Sequence, residues 1–165
     1  RTIEISTLGQ VLKEDLGEGQ FTRLVIKNPQ ENKVLGLKEL FEAFEVKTPD
    51  TFYNKVNNDF TLFVYSSQGA NRLGFITEVK EPDLLSLLKY WEGTMEKDFE
   101  TLSVFLGKIN PSLVPYFRET TYKNTVFRYL SFPPENFGIC WAITDKYFIL
   151  TFSGESIMKT IDKIK

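Results

Sequence analysis

Three consecutive segments, FTLFVYSS (60–67), QGANR (68–72) and LGFITEVK (73–80), decide the fold. Two runs rich in β-branched and aromatic residues flank a short polar loop, which is the pattern of an antiparallel hairpin. Directly after it, Pro82 and Asp83 open the longest helical stretch in the chain. There Leu84, Leu85, Leu88, Trp91, Met95, Phe99, Leu102 and Leu106 recur mainly at steps of three and four, so they form one apolar stripe. Gly93 lies inside this stretch and is expected to kink or split it, because a mid-helix glycine costs about 1 kcal/mol relative to alanine. The stripe predicts Leu88, Trp91 and Met95 as core and the intervening Glu92 and Glu96 as solvent-facing.

Working outward toward the C-terminus, YFRETTYK, TVFRYLSF, FGICWAIT and YFILTFS are separated by polar turns at Lys123-Asn124, residues 133–136 and Asp145-Lys146. That is the signature of an antiparallel meander. Ile157, Ile161 and Ile164 then line a closing helix, with Ser153 as its N-cap. The hairpin 137–152 feeding this helix echoes the hairpin 60–80 feeding the helix after Pro82, a ββα pseudo-repeat in element order. Toward the N-terminus, TIEIS (2–6) and FTRLVIK (21–27) alternate as strands. Thr7 and Gln10 match a capping box, and Leu37, Leu40, Phe41 and Phe44 make one helical face. Thr48-Pro49-Asp50 predicts a brief helix carrying Phe52, Tyr53 and Val56, broken by Asn57, Asn58 and Asp59. The expected fold is α+β. A predominantly antiparallel sheet of five to seven strands, with helices mainly on one face, fills a single domain over residues 1–165.

Composition narrows the chemistry. The 165 residues are 42% hydrophobic and 25% charged, with 20 basic against 22 acidic side chains and a net charge of −2. These totals give no basic field for a nucleic-acid backbone, and nucleic acid is not expected as a partner. The chain has no histidine, which removes histidine-based triads and histidine metal sites. Cys140 stands alone, which removes an internal disulfide and any CxxC pair, and its apolar setting FGICWAI reads as a buried packing thiol. No glycine-rich phosphate loop occurs, and neither a cofactor nor a metal is expected. No apolar run reaches the ~18–20 residues that span a bilayer.

FTRLVIKNPQENKVLGLKELFEAF, FTLFVYSS, RLGFITEVK, YWEGTMEKDFETL, TVFRYLSF and ITDKYFILTFSGESI together resemble a group of bacterial proteins without an established activity, frequent in candidate-phylum genomes of small, reduced bacteria. The resemblance covers nearly the whole chain. It implies an extracytoplasmic domain carried after a single transmembrane helix outside this sequence, which agrees with a chain that opens on Arg1. It transfers no catalytic residue. Where such sequences often have Ser before the first long helix, this chain has Gly36, so its cap with Glu39 is weaker.

Three groups are candidate sites. The stretch 81–100 holds six carboxylates against Lys89 and Lys97; Glu92 and Glu96 share a helix face that suits a divalent cation or acid/base pair, yet the pattern reads as a solvated face. Ser153-Gly154-Glu155-Ser156 offers helix-start amides to an anion, but Glu155 opposes one and capping is the expected role. Aromatics form the third group. TVFRYLSF is apolar on both faces, so a sheet covered on one side leaves Tyr116, Tyr122, Phe127, Tyr129 and Trp141 as an outward recognition face. The expected function is a non-enzymatic interaction or structural domain, its partner a protein or envelope polymer. The alternative is a carboxylate-dependent hydrolase of envelope glycan or peptide.

Overall fold

A computed structural model describes all residues, Arg1–Lys165. In chain order the elements are β1 (Thr2–Glu4), α1 (Leu8–Val11), β2 (Phe21–Asn28), β3 (Lys33–Val34) and α2 (Leu37–Ala43). Then come β4 (Val56–Ser67), β5 (Ala70–Val79), α3 (Leu84–Asp98) and α4 (Glu100–Phe105). The meander β6 (Arg118–Tyr122), β7 (Thr125–Ser131), β8 (Gly138–Thr144) and β9 (Tyr147–Thr151) leads into α5 (Gly154–Ile164). The fold is α+β. One sheet runs in the order β1-β2-β4-β5-β9-β8-β7-β6, with β3 beside β2, and every pair is antiparallel except β1 with β2. The nine strands exceed the expected five to seven because β1 and β3 are short segments laid against β2.

Tight turns fix the register. Gln68 and Gly69 both have positive φ (55° and 77°), so Ser67 pairs directly with Ala70. Lys123 and Asn124 do the same for Tyr122 and Thr125. Two positive-φ residues twist the chain in the sense the strands already have, which is why these hairpins need only two connecting residues.

Alternation then divides the side chains between two faces. Leu62, Val64, Phe75, Leu130, Ile139, Trp141, Phe148 and Leu150 face the larger core, where Leu8, Leu37, Phe41, Leu88, Trp91, Met95 and Leu102 from α1–α4 meet them. Leu88, Trp91 and Met95 are buried as their spacing requires. The opposite face presents Phe127, Cys140, Ala142 and Ile149, and α5 covers these with Ile157 and Ile161. The helices are therefore split, with α5 alone on the second face. The ββα order occurs twice, as β4-β5-α3 and β8-β9-α5, and β5 pairs with β9, but the two helices pack on opposite faces of the sheet.

Other local departures have physical causes. The long helical stretch breaks at Phe99 instead of Gly93. The Asp98 carboxylate accepts from the Trp91 indole at 2.8 Å and from the Thr94 hydroxyl at 2.6 Å, closing the end of α3. Residues 52–54 form only a 3₁₀ turn, and Val56 begins a 12-residue strand. Thr7 does not cap α1; its hydroxyl donates to the Glu4 carbonyl. Ser153 does cap α5, accepting from the Ser156 amide at 3.0 Å. No helix is long and apolar enough to cross a membrane.

Candidate functional site

One helix cannot cover this sheet. Neighbouring strands lie ~4.8 Å apart, so eight in a row span over 30 Å, whereas a helix with its side chains is ~10 Å wide. Because α5 packs mainly on β8, β9 and β5 and reaches β7 at Phe127, the rest of the second face of β7, around Tyr129, is left partly open. A groove of about 1090 Å³ lies there. Phe127 and Tyr129 of β7 and Cys140 of β8 belong to its lining, as do Met158 and Glu155 of α5. The loop 132–137, with Pro133 and Pro134, contributes on another side, together with Leu113 and Thr120. Leu113 is held by its amide, which donates to the Ser131 carbonyl at 2.9 Å. Glu135 and Glu155 are the only charged residues in the lining, and Glu155 accepts from the Ser67 hydroxyl at 2.7 Å.

The five aromatics chosen from sequence do not form one outward face. Trp141 pairs in register with Arg128, and Tyr129 with Cys140, so Trp141 points the other way, into the larger core. It is 1% exposed. Phe127 is also buried, at 5%, because α5 occupies the face that was expected to be open. Tyr122 is half-buried, and its hydroxyl donates to Asp162 of α5 at 3.0 Å. Tyr129 is half-buried in the groove, with the Arg118 guanidinium 5.0 Å from its ring centre. Tyr116 is 63% exposed but lines a different hollow, of about 540 Å³, beside Glu92, Glu96, Glu100 and Lys108. The structure thus joins only Phe127 and Tyr129. Leu113, Thr120 and Met158 were missed, since nothing in the sequence folds the loop after α4 or the second side of α5 onto β7.

The acids of α3 are not solvent-facing either. Glu92 retains 11% side-chain exposure and receives Arg128 Nε at 2.6 Å, Arg128 Nη2 at 2.9 Å and the Trp141 indole at 3.0 Å. Glu96 takes the Ser112 amide and hydroxyl at 3.0 and 2.7 Å and Lys108 at 3.1 Å. Burial works to raise the Glu96 pKa, but these donors outweigh it and hold the carboxyl below its ordinary range. Lys108, nearly buried, also contacts Glu100, and its pKa is raised by the two carboxylates against the pull of burial. Burial pushes the Cys140 thiol up to about 12, so at neutral pH it is not a nucleophile. No three His, Cys, Asp or Glu side chains converge as a metal site.

Comparison with known proteins adds no assignment: no family model, curated protein or solved structure matches the chain.

Proposed function

We propose that this chain is a non-catalytic binding domain, displayed outside the membrane behind a preceding transmembrane helix, whose groove on the second face of β7 receives an apolar segment of a protein or envelope polymer. The groove itself carries the reading. It has the size of a ligand site, and its lining combines aromatic, proline and methionine surface with few charges. The placement outside the membrane rests on the resemblance of the sequence. Support for binding over hydrolysis comes from the carboxylates that sequence offered for chemistry, because Glu92 and Glu96 already balance Arg128 and Lys108. Glu155 is engaged with Ser67.

The test is selection of displayed random peptides, and in parallel sedimentation with purified envelope glycan, using the wild type and two groove variants, Tyr129→Ala and Met158→Lys. Capture by the wild type that both variants reduce at least tenfold, with Glu92→Gln unchanged, supports the groove. Hydrolysis of either material that Glu92→Gln or Glu96→Gln abolishes would overturn it in favour of the hydrolase.

A further inference from the structure

The sheet ends on β6, and this edge is left open. Arg118, Glu119, Thr120 and Thr121 are all exposed and Tyr122 half-buried. The Tyr122/Thr125 pair closes the two-residue turn, so alternation from it directs the backbone N–H and C=O of Glu119 and Thr121 away from β7. Neither amide makes another hydrogen bond. Proteins commonly blunt such an edge with proline, lysine, a bulge or a very short strand. The opposite end of the sheet follows that practice, with β1 only three residues long and the two-residue β3, which carries Lys33, beside β2. β6 has no proline, lysine or bulge. Its two charges are already engaged within the monomer, Arg118 over the Tyr129 ring and Glu119 with Arg128 at 3.0 Å.

We propose that β6 pairs antiparallel with β6 of a second copy, about a two-fold axis through Thr120. Only one register suits both backbone and charge. The outward groups belong to residues 119 and 121, so these must face each other. Centring the axis on Thr120 sets Glu119 opposite Thr121 and Arg118 opposite Tyr122, with no like charges together. Sliding one way sets Glu119 against Glu119. Sliding the other sets Glu119 against Lys123 and Arg118 against Asn124, whose backbone is taken up by the turn outside the strand, so there the backbone rejects the register although the charges would suit it. Because Thr120 also borders the groove on the second face, the two grooves adjoin across the axis. Self-pairing does not depend on either groove being occupied.

The experiment uses the full chain with Thr120→Cys. In this register residue 120 forms a non-hydrogen-bonded pair with itself, its Cα atoms ~4.5 Å apart, within the ~4.4–6.8 Å range of disulfides. The single native thiol is buried and does not compete. Mild oxidation should give a covalent dimer from Thr120→Cys and little from Glu119→Cys. In sedimentation equilibrium, Thr121→Glu places two like-charge pairs across the axis and should weaken self-association about tenfold. Adding Glu119→Lys should restore it. A wild type that stays monomeric up to millimolar concentration overturns the proposal, even if it accepts a strand from another protein. So does cross-linking of Glu119→Cys as fast as Thr120→Cys, or self-association indifferent to Thr121→Glu while the melting temperature is unchanged.

Discussion

The indole N–H of Trp141 in β8 donates to the carboxylate of Glu92 in α3 across 3.0 Å. That single bond joins two residues that sequence assigned to different sites, one to a recognition face and one to a solvated acid pair. A buried Trp needs an acceptor for its one polar atom. A carboxylate drawn from water needs charge and donors, and Arg128 supplies both from the neighbouring strand. The three groups satisfy one another and tie α3 to the middle of the meander.

Removing the shared acceptor strands its partners. Glu92→Ala leaves the Arg128 guanidinium half-buried with only Glu119 and leaves the indole unpaired, so the fold should lose about 2–4 kcal/mol. Urea titration followed by tryptophan fluorescence measures this as a lower midpoint with an unchanged slope. Glu92→Gln, which keeps an acceptor for Trp141, should cost clearly less.

At the start of α2 the helix is capped from a distance. The Lys38 amide donates to Asn58 Oδ1 at 2.8 Å, and the Gly36 amide donates to Glu39 at 3.2 Å. A Cβ on Gly36 would lie 2.2 Å from Asn58 Nδ2. Gly36 is therefore glycine because the Asn58 side chain fills its place. Gly36→Ser, which offers a local cap, should nevertheless destabilise by about 1–2 kcal/mol by expelling Asn58. In the double variant with Asn58→Ala most of that loss should return, a non-additivity that a thermal-melt cycle reads directly.

What the sequence made legible follows from period and turn chemistry. The hairpin at 60–80, the meander and the stripe of Leu88, Trp91 and Met95 are local patterns, and each is present in the structure. Faces were not legible in the same way. TVFRYLSF is apolar on both sides, and nothing local says whether a helix, a partner or solvent meets the second side. The closing helix decided it, because Ile157 and Ile161 pack on Cys140, Ala142 and Ile149. Pairings over long separations were equally hidden: Glu92 finds Trp141 and Arg128 through sheet register, which composition cannot supply. The same holds for Asn58, read as a helix breaker, which instead sits in β4 and caps α2.

The Glu96–Lys108 pair gives the protein a pH signature on both flanks. Glu96 is lowered from its ordinary value of 4.5, so its contribution is present above about pH 4.5 and is lost as pH falls through the folded value. Lys108 is raised from 10.5, so its contribution is present below about pH 10.5 and is lost as pH rises through its own folded value. Melting temperature measured against pH should fall on both sides. Glu96→Gln should flatten the acid limb and lower the plateau by the equivalent of about 1–2 kcal/mol, a modest figure because Glu96 remains partly solvated.

Cys140 reports on the docking of α5. The thiol is buried, its pKa is about 12, and Ile157 and Ile161 belong to the apolar cluster that encloses it. At pH 8 the folded protein should react with a thiol reagent chiefly through opening of α5 or of the whole fold, since the thiolate is withheld and Cys140, although it borders the groove, is only 3% exposed. Ile161→Ala removes part of the cover and should cost about 2–4 kcal/mol. If α5 opens by itself, labelling of Cys140 should accelerate by a factor of about 10–1,000, following that loss, while the Trp91 and Trp141 fluorescence on the other face stays native. If α5 and the larger core open only together, labelling and fluorescence should change in parallel, and Leu88→Ala should accelerate labelling as much as Ile161→Ala does. The separate cluster under α5, joined to the main core through the sheet alone, makes the first result the expected one. Equal acceleration by the two variants would overturn it.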